Sequence, residues 1–370
     1  MRIRATSASF AVLAAFVGLA ACADQTPPPQ PPPPPPPPPA TAEAPAPPAT
    51  DTTPPPAPPK PPMVDMQKAS IQTVADALNG HDAAKYASVF AADGVEKQAG
   101  MPDSVGRDAI VASTKQWFGM FPDTRFAFSH VWLQGNVGVS TWDWTATDSG
   151  TGFMGAKPTG RPVGLTGVTI AFYGDDGLIK ELHIYQDFAT VLQQLDPKAK
   201  KSSFRPPPTL ATSFDTTKGG SPEEDGNLGF ARAFYQALDD KKEKDVVAAA
   251  TEDTTGDDYE APASIKGLKQ WKGMYREFVT AFPDFKQLPL ANQWAIGGYV
   301  VSEGVLQGTH KGPIGPFKAT GKPVSLHFVD VLQFKAGKIA RLQSWANGVE
   351  LLTEIGVIKP PSQPPAAAAQ

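Results

Sequence analysis

The chain has 370 residues, and 22 of its 41 prolines lie between residues 27 and 62. Proline fixes φ and lacks a backbone donor, so that stretch is not a folded domain; the remaining ~300 residues predict about two domains. A hydrophobic content of 41% excludes global disorder, and a net charge of -4 argues against nucleic-acid binding. A single cysteine excludes disulfide frameworks and thiolate metal sites within the chain.

The N-terminus reads as a targeting segment. A basic start is followed by an apolar run over residues 10–20. A helix of that length spans only about 16 Å, roughly half of a bilayer core, which predicts a signal peptide over residues 1–21. The run ends in Leu19-Ala20-Ala21-Cys22, which resembles a bacterial lipobox. The resemblance implies that Cys22 becomes the acylated N-terminus, whereas a plain signal peptide cleaved nearby is the alternative.

The residue after the cysteine and the segment beyond it extend this interpretation. Ala23, and not Asp, follows Cys22, which resembles outer-membrane sorting in double-membraned bacteria. Residues 22–64 are then a lipid-anchored, Pro-rich linker in extended polyproline II conformation. We therefore expect a lipoprotein of the bacterial envelope that faces the periplasm or the cell surface.

From residue 66 onward the chain repeats itself at an offset of about 160. Phe121-Pro122-Asp123 recurs as Phe282-Pro283-Asp284, and Pro158-Thr159-Gly160-Arg161-Pro162 recurs as Ala319-Thr320-Gly321-Lys322-Pro323. The chain therefore holds two copies of one domain. The predicted segments are domain 1 over 65–197, a linker over 198–226, domain 2 over 227–358 and a disordered tail over 359–370.

Each copy begins helical and ends as sheet. In copy one, apolar spacing and capping residues predict three helices, over residues 71–78, 82–92 and 108–120. A period of two then predicts strands over residues 126–133, 137–147, 163–173 and 178–187. Copy two follows the same plan. The predicted fold class is α+β, with two tandem cone-shaped domains, each a strongly curved antiparallel sheet wrapped by about three helices around a pocket.

This order of motifs resembles one known family. Three helices, Phe-Pro-Asp, Gly-Thr-His-x-Gly, Pro-Thr-Gly-Lys/Arg-Pro and a final Asp are similar to the SnoaL-like polyketide cyclase (ester cyclase) family of the nuclear transport factor 2-like superfamily. The resemblance implies an apolar cavity and an acid–base Asp at the end of the last strand, with a nearby His, that promotes aldol closure. Such domains also serve as isomerases, dehydratases and inert binding modules.

The resemblance places the candidate catalytic residues in copy one. The final Asp is Asp187, and His183 and Tyr185 precede it at two-residue spacing, so the three share one strand face. Asp187 could equally cap the following helix, and His183 could be structural. In copy two the final Asp is replaced by Asn347, which cannot exchange a proton near neutral pH.

Further residues are candidates for ligand binding. Copy two keeps the Gly-Thr-His element as Gly308-Thr309-His310, whereas Asp148-Ser149-Gly150-Thr151-Gly152 replaces it in copy one. His310 and His327 could meet, but two His residues without a third ligand make a poor metal site, so no metal is expected. No cofactor motif is present, and no cofactor is expected. The complete set of candidate ligand-binding residues is Trp142, Trp144, His310, His327, Trp345 and Asn347, with core packing as the alternative for the Trp residues.

The functional expectation is proton-transfer chemistry of the cyclase or isomerase type on a small, largely apolar substrate in domain 1. The alternative is a non-catalytic module that binds a small ligand or has a structural role in the envelope. The expected partners are the membrane, through a lipid on Cys22, and the small ligand, without nucleic acid. A homodimer or packing of the two domains on each other is also expected.

Overall fold

The computed structural model describes residues 60–359. The predicted signal peptide, Cys22, nearly all of the Pro-rich linker and the tail from residue 360 lie outside the described residues. Within the described part of the chain, no helix combines the length and apolar character needed to cross a membrane.

Domain 1 is built from helices followed by strands. Asp82 accepts a hydrogen bond from the backbone of Lys85 and so caps the second helix, while Gly80 separates it from the first. The elements in chain order are α1 (Met63–Asn79), α2 (Ala83–Ser88), β1 (Phe90–Gln98), β2 (Ser104–Val105), α3 (Arg107–Met120), β3 (Arg125–Gln134), β4 (Val137–Thr147), a 3-10 turn (Phe153–Gly155), β5 (Pro162–Tyr173), β6 (Ile179–Tyr185) and α4 (Phe188–Leu195).

The domain 1 sheet has seven strands in the order β2-β1-β6-β5-β4-β3-β7, where β7 (Asp215–Lys218) comes from the linker. Its central hairpins are antiparallel, but β1 runs parallel to β6 and β7 runs parallel to β3. The N-terminal helices pack on one face of this sheet, here called the cavity face. The predicted α+β cone is confirmed, with two parallel pairings that the sequence pattern did not predict.

Domain 2 repeats this architecture. Its sheet also has seven strands, in the order β10-β12-β13-β14-β8-β9, with β11 paired to β12 beside β10. The elements in chain order are α5 (Glu224–Asp239), α6 (Glu243–Ala248), β8 (Ala250–Asp258), β9 (Ile265–Lys266), α7 (Gly267–Ala281), β10 (Lys286–Gln287), β11 (Asn292–Ile296), β12 (Tyr299–Thr309), β13 (Pro323–Lys335), β14 (Lys338–Ala346) and α8 (Gly348–Glu354).

The segment predicted as a linker is ordered and touches both domains. Besides the strand β7, it contains a 3-10 turn at Lys201–Ser203. The amide of Gln194 donates to the carbonyl of Arg205 at 2.8 Å, and the guanidinium of Arg205 donates to the carbonyl of Ala261 at 2.8 Å. The linker therefore ties the end of domain 1 to the start of the domain 2 sheet.

The outer faces of the two sheets pack against each other. Their shared apolar core contains residues of both domains: Trp132, Val137, Val139, Val168, Ile170, Tyr185, Ile296, Val301, Val329, Val331 and Trp345. Trp345 is central, because its ring stacks on Tyr259 at 4.7 Å and its indole N–H donates to the carbonyl of Thr166 in domain 1 at 3.2 Å. Each sheet is thus covered on one face by helices and on the other by its sister domain.

We expect Trp345→Ala to lower the free energy of unfolding by about 3–5 kcal/mol, because the side chain is 0% exposed and its removal leaves a cavity between the domains. Chemical denaturation measures the change. Phe230→Ala is the control, since Phe230 is 49% exposed and its loss should cost far less. Equal effects of the two substitutions would contradict a shared core at Trp345.

Candidate functional site

The predicted catalytic residues His183 and Tyr185 lie on the outer face of β6. Their side chains point to domain 2, where both contact the carboxylate of Glu303 on β12. The alternate residues Leu182 and Ile184 line the cavity face instead. The structure therefore brings His183 and Tyr185 together on one face, as predicted, but this face is the domain interface and not the cavity.

Glu303 is the centre of a buried polar cluster across the interface. It is 3% exposed and faces His183 Nδ1 at 2.5 Å, while it accepts hydrogen bonds from Tyr185 Oη at 2.7 Å and Asn292 Nδ2 at 2.6 Å. His183 Nε2 faces Glu181, which also binds Lys97. Burial disfavours the imidazolium, but the carboxylates of Glu303 and Glu181 outweigh it and raise the pKa of His183.

Asp187 caps α4 and is 2% exposed. Its carboxylate accepts hydrogen bonds from the backbone of Ala189 and Thr190, from the Thr190 hydroxyl, and from the backbone of Gly348 in domain 2. Burial raises the pKa of Asp187, and these donors oppose the rise. The side chain is not among those that line the cavity. An acid–base role for Asp187 stays a prediction, and its geometry is that of a helix cap.

Asn347 occupies the matching position in domain 2. Its amide oxygen accepts from the backbone of Val349 and so caps α8, and its amide nitrogen donates to the carbonyl of Ala99 in domain 1 at 2.7 Å. The two final-strand residues therefore make reciprocal contacts: Asp187 with the start of α8, and Asn347 with domain 1. Trp345, two residues before Asn347, lies in the shared core described above.

His310 and His327 have separate partners. His310 is fully buried, contacts the hydroxyl of Thr320 through Nδ1 at 3.1 Å and packs on the ring of Phe282. His327 is paired with Glu350 on α8 at 2.7 Å. Asp148 is the counterpart of His310 in domain 1. The backbone of each residue forms hydrogen bonds with the backbone of the same two positions in the hairpin loop that follows it. His310 thus holds a hairpin loop, as Asp148 does in domain 1.

Domain 1 contains a cavity of about 180 Å³ between its helices and the cavity face of its sheet. Two of the predicted ligand-binding residues, Trp142 and Trp144, line it. The remaining walls come from α1, α2, α3 and strands β1 and β3–β6, and their aromatic members are Tyr86, Phe90, Trp117, Phe126, Phe128 and Tyr173. The cavity is therefore a mainly apolar, ring-lined chamber.

One carboxyl group lies in this wall. Glu96, on β1, accepts a hydrogen bond at Oε2 from the phenol of Tyr86 on α2 at 2.5 Å. Burial raises the pKa of Glu96, and the Tyr86 bond opposes part of the rise. Among the described residues, no salt bridge reaches Glu96. A buried carboxyl whose pKa is raised, in the wall of a cavity, is a candidate acid–base group.

Two buried donors accompany Glu96. The side chains of Gln98 and Trp142 line the cavity, and Gln98 Nε2 and Trp142 Nε1 have no hydrogen-bond partner among residues 60–359. Buried donors without partners are uncommon in folded proteins, and a ligand acceptor would satisfy them. The residues of the cavity wall therefore offer two unpaired donors to an oxygen of a bound molecule.

Sequence analysis missed Glu96 because β1 carries little strand signal. The stretch from Phe90 to Gln98 reads Phe-Ala-Ala-Asp-Gly-Val-Glu-Lys-Gln, and only its alternation of Val95, Glu96 and Lys97 indicates opposite faces. The matching strand of domain 2 carries Gly256 where domain 1 has Glu96, since they pair with Leu342 and Leu182 respectively. The difference between the two copies at this position, a glutamate in one and a glycine in the other, was the sequence feature that could have indicated Glu96.

Domain 2 fills the corresponding space differently. A Cβ on Gly256 would lie 2.6 Å from the side chain of Ile265, which fills this space and would have to move to admit a larger residue. Instead Asp330 on β13 is buried and accepts a hydrogen bond from Tyr235 Oη at 2.9 Å. Burial raises the pKa of Asp330 to about 6, against hydrogen bonds from Ser344 and Tyr235.

Asp330→Asn should stabilise the protein increasingly as the pH rises from about 4 to about 7. The folded pKa of about 6 lies above 3.8, the ordinary pKa of an aspartate, so the folded chain holds a proton that the unfolded chain has released. The free energy of unfolding therefore falls as the pH passes through this window. Asp330→Asn has no ionisable group at this position and does not lose stability in this way. Its free energy of unfolding should exceed that of the wild type by about 2–3 kcal/mol at neutral pH. Denaturation at each pH measures it, with the exposed Asp253→Asn as control; a pH-independent difference would contradict the assignment.

The chain is similar to several solved structures. TsrD from Streptomyces laurentii is 16% identical, with a TM-score of 0.34, and the match covers 37% of this chain and 100% of that one. IdmH from Streptomyces antibioticus is 25% identical, with a TM-score of 0.32, over 35% and 97%. An LEH-like epoxide hydrolase of M. tuberculosis is 19% identical, with a TM-score of 0.30, over 36% and 92%. A search of curated proteins found no match.

The sequence model of the SnoaL-like polyketide cyclase family matches twice, over residues 68–195 and 230–355, which together form more than half of the chain. These ranges coincide with the two cones, each from its first helix to its last. The chain belongs to the SnoaL-like polyketide cyclase family and carries two tandem copies of its domain.

Proposed function

We propose that domain 1 binds a small, largely apolar molecule in its cavity and transfers a proton within it, in chemistry of the cyclase or isomerase type. The observation that carries this proposal is the carboxyl of Glu96 in a ring-lined chamber, held by Tyr86 and without a cationic partner among the described residues. Desolvation raises the pKa of Glu96, which makes its carboxylate a stronger base than an exposed one.

The geometry supports abstraction of a proton next to a carbonyl group. The Tyr86 bond engages Oε2 of Glu96, and among the described residues no hydrogen bond engages Oε1, which would take the proton. The C–H bond breaks, an O–H bond forms on Glu96, and the electron pair moves to the carbonyl oxygen. Gln98 Nε2 and Trp142 Nε1, which are buried without partners on residues of the same cavity wall, are the candidate neutral donors for that oxygen. Return of the proton to another carbon gives isomerisation, and attack of the enolate on a second carbonyl gives ring closure.

A non-catalytic binding module is the second candidate. It is favoured by domain 2, where the position of Glu96 is Gly256 and the cone contributes the outer sheet face that covers domain 1. In this case the cavity retains a ligand, and Glu96 only contributes a hydrogen bond. The two candidates differ in whether a bound molecule exchanges protons with water.

Glu96→Gln should reduce proton exchange by about 10²–10⁴-fold, the usual contribution of one acid–base group. The affinity for neutral ketones should be retained, because the amide is nearly isosteric with the carboxyl. The measurement is deuterium incorporation from heavy water into small cyclic ketones, followed by mass spectrometry. Binding of the same ketones without any exchange by the wild-type protein would support the binding module instead.

Asp187→Asn is the matched comparison for this test. Asparagine also caps helices, so this variant should fold and should keep the exchange rate of the wild type. If Asp187→Asn abolishes exchange and Glu96→Gln does not, the acid–base group is the one that the family resemblance indicates and not Glu96.

We further propose that the protein is a lipoprotein of the bacterial envelope, anchored through Cys22. The support is the sequence alone: an apolar run, a lipobox-like ending and a Pro-rich stretch that separates the anchor from the domains. Such a spacer, at about 3.1 Å per residue, would hold the domains well away from the membrane.

Cys22→Ser should abolish acylation and leave the unprocessed precursor, because only the thiol can receive the lipid. Labelling with a fatty-acid analogue and partitioning into detergent measure the change. Normal processing and detergent partitioning of Cys22→Ser would contradict the lipoprotein proposal and favour a plain signal peptide.

A further inference from the structure

The wall of the domain 1 cavity is unbalanced in charge. Of the described residues that line it, Glu96 is the one carboxylic acid, and none is Lys, Arg or His. The adjacent cation, Lys97, is on the opposite side of β1, where its ammonium binds Glu181 at 2.5 Å. A buried carboxylate is ordinarily paired with a positive group or a set of donors. Here one phenol, from Tyr86, is its hydrogen-bond donor.

The aromatic residues of the cavity wall also favour a positively charged ligand. Trp117 and Trp144 pack with ring centroids 4.8 Å apart, and Phe126 and Trp142 with centroids 4.5 Å apart, and all four line the cavity. The faces of aromatic rings carry partial negative charge and attract ammonium groups, most strongly when water is excluded. An anionic ligand would meet a carboxyl group and ring faces without any compensating cation.

We infer that the ligand of this cavity is a small ring-containing molecule with a positively charged nitrogen, a protonated amine or a quaternary ammonium. This inference rests on the proposed function, because it specifies the substrate class of the same site. The nitrogen pairs with Glu96, and the ring packs between the aromatic walls.

Three indane probes of similar size separate charge from shape: 2-aminoindane, which is cationic at neutral pH, 2-indanol, which is neutral, and indane-2-carboxylate, which is anionic. Isothermal titration calorimetry on the whole protein measures their affinities. We expect 2-aminoindane to bind about tenfold or more tightly than 2-indanol, and the carboxylate to bind most weakly. Equal binding of the amine and the alcohol, or no binding of the amine, would overturn the inference.

Two variants assign the preference to Glu96. Glu96→Gln should remove the advantage of 2-aminoindane over 2-indanol and leave the affinity for 2-indanol within about twofold. Asp330→Asn is the matched control, since it alters a tyrosine-bound buried carboxyl in domain 2 and should leave the preference unchanged. A preference that survives Glu96→Gln would overturn the inference.

The ketone exchange measurement fails or succeeds independently of these affinities. Binding selective for the amine together with no proton exchange would retain the cation site and reject the catalytic proposal. Exchange into neutral ketones without any preference for 2-aminoindane would retain the catalytic proposal and reject the cation site. Each result therefore decides one of the two proposals without deciding the other.

Discussion

The packing of the two outer sheet faces is the interaction on which the rest of this structure depends. A curved sheet covered by helices on one side still has a second face, and in domain 1 that face carries Val168 and Ile170, which would otherwise be exposed to water. Here the partner surface belongs to the same chain, joined through an ordered linker that touches both domains. The effective concentration of the second copy is high, so association does not depend on protein concentration.

This interface explains the position of the polar residues at the end of each last strand. His183 and Tyr185 bind Glu303, Asp187 binds the start of α8, and Asn347 binds domain 1. Buried charges stabilise a fold only when their partners are well placed, and they restrict the orientations that are allowed. The polar cluster around Glu303 therefore fixes how the domains meet, while the apolar core supplies most of the favourable free energy. Because Leu182 and Ile184 alternate with the interface residues, the same contact supports the cavity wall.

Much of the fold could be predicted from the sequence, because its signals are local. The repeated motifs gave the two copies, and the change from helical to strand periodicity gave most elements within a few residues. The direction of the side chains could not be predicted. Both faces of β6 are covered, one by helices and one by domain 2, so alternation does not tell which face is the cavity. The strand β1, and with it Glu96, depends on parallel pairing with distant β6, for which the sequence has no local pattern.

The differences between the two interiors separate what the fold needs from what is specific to domain 1. In the sheet of domain 1, Trp142 on β4 pairs with Gly167 on β5. The matching pair in domain 2 is Gly304 on β12 with Phe328 on β13, so the aromatic ring is on the opposite strand of the pair. The carboxyl has moved as well, from β1 in domain 1 to Asp330 on β13, and each time a tyrosine hydroxyl binds it. A buried acid with a phenol donor is thus tolerated at either place. Asp330 is packed against buried neighbours, whereas the side chain of Glu96 lines a cavity. The candidate site is therefore distinguished by the access of a ligand to its acid and not by the burial of that acid.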